Sequence, residues 1–441
     1  MRLIVDCCYL LALCAAAPLL AYRALRTGKY RGGWAQRRGY APTLPPVPRR
    51  VWFHAVSVGE VNAARGIIDQ WRRQSPQTEL VVSCTTDTGL ARARALFPEL
   101  VVFRYPLDLS RWVRRAMDRV KPTMIVLVEL EVWYQFVTQA AARGIPVAVI
   151  NGRLSATSLR RFRKVGRLVR PMFAALEWVG AQDETYAGRF RQLGVPPERV
   201  TVTGSLKWDT AELADAIPGA DALAAALGID RAGRLWVCGS TGPGEEQVVL
   251  EAYGHLLGRH PDLQLAIIPR KPERFDEVAG HIRAAGYACV RRSEHRDPGR
   301  PAAWGGRRVI LGDTMGELRA FYSLATVVFA GRSLANMGGS DMMEVAALCR
   351  PIVVGPHTDN FGDTMDRLRR GGGVLEIGAD LDSPDAAGQL AEAVDGLLRD
   401  PDAAAGMARN ARAVVQANRG ATGRTLTRLM EILERAQHPA A

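Results

Sequence analysis

From residue 51 onward, short apolar runs alternate with stretches of helical periodicity. The first run, Val51 to Val56, closes on Ser57-Val58-Gly59-Glu60. Beyond it Val61, Ala64, Ile67, Ile68 and Trp71 recur at the spacing of a buried helix face. This predicts a strand, a tight turn and a helix carrying Glu60 on its first turn. Further strands are expected at 80–84, 101–103, 124–128, 147–150, 178–180 and 200–202, with helical periodicity at 111–120 and 132–143. Alternation of this kind means βαβ units and a parallel sheet covered on both faces. Near 211–230 the chain turns rich in Ala, Asp and Gly, and a second series starts at Leu235. Its strands are expected at 264–268, 309–311, 326–329, 352–354 and 374–377.

The α/β pattern therefore predicts two doubly wound, Rossmann-like domains in tandem, 51–222 and 223–441, whose strand ends meet across a cleft. Residues 284–307, rich in Arg, Pro and Gly, read as an inserted surface loop. The helices after Pro384 are assigned to the second domain, with a return to the first as the other possibility.

Residues 1–27 follow a different pattern. The apolar run 3–25 is broken by Asp6, Pro18 and Arg23, and its length suits a bilayer span of about 20 residues. Arg23, Arg26, Lys29, Arg31, Arg37 and Arg38 crowd the following flank, which by the positive-inside rule keeps everything after it in the cytoplasm. A membrane anchor at 1–27 is expected, crossing the bilayer or lying in its surface. Behind it, 28–50 forms a basic, Pro-rich spacer suited to anionic headgroups.

Composition adds little to this frame. The 441 residues suit two domains, and a net charge of +13 suggests an anionic partner. Nucleic acid is not expected, because the basic residues spread over both halves rather than gathering with stacking aromatics. The seven cysteines are scattered without metal-ligand spacing, which reads as buried free thiols and no structural metal.

Candidate chemistry gathers at strand ends. Glu60 would stand at the mouth of the cleft, although the helix macrodipole alone also favours acidic residues there. Glu129 and Glu131 directly follow the strand at 124–128. Glycine-rich turns at Gly239 to Glu246 and Gly331 to Asp341 would let backbone approach a phosphate, or would be ordinary βα turns. Glu344, on the helix after the second turn, is placed to hold a ribose. Lys207 and Arg270 are basic groups at strand ends, Arg in particular matching a phosphate. Asp380-Leu381-Asp382 has the form of a metal-binding pair but precedes a helix, where capping explains it.

At Trp52-Phe53-His54-Ala55-Val56-Ser57-Val58-Gly59-Glu60 the chain resembles the 3-deoxy-D-manno-octulosonic acid (Kdo) transferases of lipopolysaccharide synthesis. The likeness continues through Glu129 to Trp133, Asn151 to Ser155, Ala181 to Glu184, Val202 to Asp209, Pro269 to Phe275, Gly312 to Leu318 and Gly355 to Thr358. The resemblance implies a GT-B fold and an inverting glycosyltransferase on the cytoplasmic side of the inner membrane. It would move Kdo from CMP-Kdo to a lipid A precursor (lipid IVA) without a metal ion or other cofactor. Glu60 falls on the family's general base, and Glu131 and Lys207 on the acceptor side. Arg270, Gly316, Gly338, Gly339 and Glu344 fall on the donor side. The chain departs from the pattern at Ser340-Asp341, where an anion stands beside the expected phosphate site, and this keeps a different nucleotide sugar open as the donor.

Overall fold

The computed structural model describes residues 2–27, 32–299, 302 and 307–437. Lys29 and Arg31 of the expected basic flank lie outside the described residues. The chain forms two compact units, one built from residues up to Thr210 with those from Asn418, the other from Ala211–Ala417.

The first unit holds a parallel seven-stranded sheet. Its strands are β1 (Arg50–Ala55), β2 (Glu79–Cys84), β3 (Val101–Arg104), β4 (Met124–Val128), β5 (Val147–Gly152), β6 (Trp178–Ala181) and β7 (Val200–Val202), in the order β3-β2-β1-β4-β5-β6-β7. Every residue of β1 and β4 is buried, as expected of strands covered on both faces. The strand order, not the chain direction, reverses between β1 and β4, so the carboxyl ends of these two parallel strands flank the crevice of a doubly wound sheet. One polar group inside is fully accounted for. Arg50 donates to Glu79 Oε2 at 2.6 Å, to the Val120 carbonyl at 2.5 Å and to the Pro45 carbonyl at 2.7 Å. The Pro-rich stretch expected as a spacer is thereby tied to the start of the sheet.

The N-terminal segment is one helix, Arg2–Thr27, with Pro18 inside it. As a bilayer span the expectation fails: among the described residues no helix is long and apolar enough to cross a membrane. Asp6 and Pro18 interrupt the run, and Asp6 serves the fold, accepting the Ser110 amide and the Gln135 side chain at 2.9 Å each. The thiols of Cys7, Cys8 and Cys14 are exposed on this helix, whereas Cys84 and Cys238 are buried as expected.

The second unit repeats the design with β8 (Leu235–Thr241), β9 (Gln264–Pro269), β10 (Ala288–Arg291), β11 (Arg308–Leu311), β12 (Val327–Ala330), β13 (Ile352–Val354) and β14 (Leu375–Glu376). All are parallel in the order β10-β11-β9-β8-β12-β13-β14, with the reversal between β8 and β12. The strand β10 lies inside the stretch read as an inserted loop. It is an edge strand, exposed or half-buried at three of four positions, and so lacks the apolar run that marks a central strand.

The units divide the chain at Thr210 and Ala211, while the sequence reading divided it between 222 and 223. The Ala-rich stretch forms the helix Ala220–Leu227, which packs in the second unit. For the final helix, Ala421–Gln437, the sequence favours the second domain and leaves a return to the first as the other possibility. The helix joins the first unit, burying Leu426, Leu429, Ile432 and Leu433 in one cluster with Ile67 and Trp71 of the helix Val58–Gln74.

Candidate active site

In the first unit the chemistry gathers where β1 and β4 end side by side. Ser57 caps the helix Val58–Gln74, its hydroxyl oxygen accepting the Glu60 amide. The Glu60 carboxylate reaches back, accepting the Val56 amide at 2.8 Å and the Ser57 hydroxyl at 3.0 Å. This reciprocal arrangement is a variant of the capping box, so the structural role that any first-turn carboxylate could have is present. Glu60 is nonetheless only 8% exposed. Burial pushes its pKa up to about 7 against the pull of the Val56 amide, and the charges of Glu131 and Glu129 push the same way. A carboxylate that takes and releases a proton near neutrality is matched to general base work.

Glu131 is raised as well, by burial, while Trp133 Nε1 donates to its Oε2 at 2.9 Å. Glu129 and Asn151, at the ends of neighbouring strands, both adopt left-handed backbone with φ of 61° and 53°. Such conformations are uncommon outside glycine and concentrate at functional turns. Beneath them His54 is fully buried and stacked on Tyr105, with ring centroids 3.8 Å apart, and burial holds it neutral with a pKa of about 3. Asp108 caps the helix Tyr134–Ala141 through the Gln135 and Phe136 amides at 2.9 and 2.8 Å, and burial lifts it to about 7. Sequence reasoning passed over Asp108, since Tyr105 to Asp108 carries no periodic signal.

Lys207 is exposed at the start of the helix Lys207–Thr210. That helix packs beside Val58–Gln74, and the preceding Leu206 amide donates to Asn151 Oδ1 at 3.1 Å. Lys207 thus stands near the Glu60 helix without touching its carboxylate.

In the second unit the corresponding crevice lies between β8 and β12. The amides that open the glycine-rich turn after β12 are not held free for a phosphate. Glu245, fully buried, fills the nest instead, accepting the amides of Gly242, Arg332, Ser333 and Leu334 at 2.6 to 2.9 Å. Arg270, exposed at the end of β9, and Glu344 lie close enough to interact. Glu344 is raised by burial and by Asp341, and is lowered by Arg319 and Arg270. Gly338 and Gly339 precede Glu344 with φ of 79° and 80°, and a Cβ on Gly338 would strike the Asn360 side chain. Asp341 Oδ1 accepts the Met343 amide at 2.9 Å, just ahead of the helix Met343–Ala347. Beside it the Ser340 hydroxyl is buried without a partner among the described residues.

Gly316 lies on the loop after β11, with φ of 90° and open space where a Cβ would stand. The loop is pinned by ion pairs of Asp313 with Arg291 at 2.6 Å and of Glu317 with Arg292 at 2.7 Å. Two groups not singled out from the sequence join the site. Arg319 faces Glu344 while donating to Glu212, and the buried Tyr322 hydroxyl is hydrogen-bonded to Ser240. Arg319 lies just beyond a motif quoted above, so only its helical position was missing.

Comparison with known proteins decides the family. A family model described as 3-Deoxy-D-manno-octulosonic-acid transferase (kdotransferase) matches residues 32–210. The 3-deoxy-D-manno-octulosonic acid transferase of Haemophilus influenzae is 33% identical over 414 residues, covering 93% of this chain and 94% of the relative. The chain belongs to the 3-deoxy-D-manno-octulosonic acid transferase family. That membership makes it a glycosyltransferase. The Kdo transferase of Bordetella pertussis is 35% identical across 96% of this chain and 99% of its own length. Among solved structures, a putative UDP-N-acetylglucosamine 2-epimerase from Listeria monocytogenes aligns with a TM-score of 0.54 at 13% identity, over 88% of this chain and 97% of that one. Identity that low shows a shared fold of two parallel α/β sheets and nothing of the reaction. The Kdo transferase likeness and the geometry meet at Glu60, which sequence motif, strand end and raised pKa all single out.

Proposed function

We propose that this chain transfers Kdo from CMP-Kdo to a lipid A precursor in lipopolysaccharide synthesis, on a GT-B framework and with inversion at the anomeric carbon. Glu60 is the general base. Its carboxylate takes the proton of the acceptor hydroxyl as that oxygen forms the new bond to the anomeric carbon, and the bond to CMP breaks on the opposite face. Arg270 and the backbone around Gly338 and Gly339 receive the charge on the departing phosphate, and Glu344 holds the ribose. Gly316 helps frame the base, and Glu131 and Lys207 belong to the acceptor side. The observation that carries this reading is a Glu60 carboxylate of pKa about 7 at the β1–β4 crevice of a Kdo transferase family member.

The acceptor is a membrane lipid, and the helix Arg2–Thr27 offers a route to it. Leu3, Ile4, Leu10 and Leu11 are exposed on this helix, which suits one that lies in the surface of the inner membrane on the cytoplasmic side. The helix Ala156–Lys164 buries none of its residues and carries Arg160, Arg161, Arg163 and Lys164, a charge suited to anionic lipid.

Glu60→Gln tests the assignment, because the amide oxygen can still accept from Val56 and preserve the helix start. CMP-Kdo binding and the unfolding temperature should stay at wild-type values, while transfer, read as product mass with and without EDTA, falls by about 10²–10⁴. Residual activity above a tenth would rule the base assignment out. A second reading, transfer from a different nucleotide sugar, rests on Asp341, whose charge pushes Glu344 toward its protonated form. Tight binding of a UDP-sugar and none of CMP would favour it.

A further inference from the structure

The helix Arg2–Thr27 is joined to the first unit by groups that lead directly to the candidate site. Asp6 gathers three donors: the Ser110 amide and the Gln135 side chain, each at 2.9 Å, and the Ser110 hydroxyl. Ser110 opens the helix Ser110–Val120, whose own N-cap position, Leu109, supplies no side-chain acceptor. Asp6 therefore caps a helix 104 residues away. The same carboxylate fixes Gln135, whose backbone amide is bound to Asp108.

One turn further, the Tyr9 ring meets Trp133 edge-on, with centroids 6.4 Å apart and planes at 70°. The indole of Trp133 in turn donates to Glu131. The Tyr9 hydroxyl is hydrogen-bonded to the Asp108 backbone and senses the charges of both Asp108 and Glu131. Two chains of contact thus run from the N-terminal helix into the segment 131–136, one from Asp6 through Gln135 and one from Tyr9 through Trp133. A helix serving only to hold a protein at a membrane has no need of a carboxylate turned inward and shared among three donors. An isolated carboxylate on an apolar helix face is costly to bury unless its bonds are made.

We infer that the N-terminal helix is a wall of the acceptor half-site, with Asp6 and Tyr9 acting as positioning residues that set the Trp133 indole and, through it, the Glu131 carboxylate. The inference rests on the placement of Glu131 on the acceptor side. The helix therefore does two things at once. Its outer face carries exposed Leu3, Ile4 and Leu11, while its inner face orients a group that meets the acceptor.

The test compares the full chain with Asp6→Ala, Tyr9→Ala, Tyr9→Phe and Leu11→Ser in vesicles of mixed zwitterionic and anionic phospholipid. Hydrogen exchange of the amides at 129–137 should quicken about tenfold in Asp6→Ala and Tyr9→Ala, stay near wild type in Tyr9→Phe, which keeps the ring, and stay unchanged in Leu11→Ser. Vesicle flotation should fall only in Leu11→Ser. In transfer assays, Asp6→Ala and Tyr9→Ala should raise the KM for a lipid A precursor about tenfold and leave the KM for CMP-Kdo unchanged. Unaltered exchange at 129–137 in both alanine variants would overturn the inference, as would a loss of activity that follows flotation alone. If Asp6→Ala fails to fold, Tyr9→Ala against Tyr9→Phe carries the same comparison. A wild-type chain that transfers no Kdo would defeat the proposed function instead, and the exchange result would still decide the coupling.

Discussion

Glu60 holds two roles that compete for one carboxylate. As part of the cap it accepts two hydrogen bonds that favour the ionised form, and as a buried group beside Glu131 it is driven toward the protonated form. Burial prevails, and the pKa settles at about 7. Since only the ionised form can accept a proton, transfer should rise with pH through an apparent pKa near 7 and level off above it. Glu131→Gln removes an anion that favours the protonated form, so the acid limb of its kcat profile should move to lower pH. A limb that stays in place would show that Glu131 does not face Glu60. The sequence singled out Glu60 by its place after an apolar run. It offered nothing about the shift, which depends on what covers the residue.

Glu245 shows how an element's start can be misread. Glycines before a helix are a general signal for phosphate, yet here the buried Glu245 carboxylate takes one amide of its own turn, that of Gly242, and three of the turn after β12. Glu245→Ala would leave those donors buried and unpaired. At about 1–3 kcal/mol for each unsatisfied group, a loss on the order of 4 kcal/mol or more is expected in urea unfolding, with Glu245→Gln less severe. A loss below about 1 kcal/mol would mean that water replaces the carboxylate. The neighbouring Glu246 is also buried, where Arg274 holds it through bonds of 2.7 and 2.9 Å. Neither carboxylate is singled out by the sequence, where both fall within the glycine-rich turn after β8. Their partners come from distant turns, and pattern alone could not supply them. The edge strand β10 escaped for a related reason, because a strand solvated on one side has no apolar run to find.

The final helix decides the integrity of the first unit. Leu426, Leu429, Ile432 and Leu433 are each at most 3% exposed against the helix Val58–Gln74, which carries Glu60. With about 1.5–3 kcal/mol for each buried aliphatic side chain, ending the chain after Asn418 removes on the order of 8 kcal/mol, comparable with the whole stability of a domain. Limited proteolysis of that truncated chain should cut rapidly within residues 50–210 and slowly within 235–399. Equal resistance of both regions would show that the final helix is dispensable.

What the sequence determined by itself is local and repetitive. Strand, turn and helix alternate because each position's burial leaves its own mark in the apolar period, and the motif order already indicated the family. Glu60, Glu129 and Glu131 could be placed at strand ends for the same reason. Tertiary structure alone decided which ends lie together. The β3-β2-β1-β4 order sets Glu60 beside Glu131, Asp6 is drawn to Ser110, and the last helix returns to the first unit. Periodicity reports that a face is covered; which distant segment covers it follows from packing and chain closure across the folded unit.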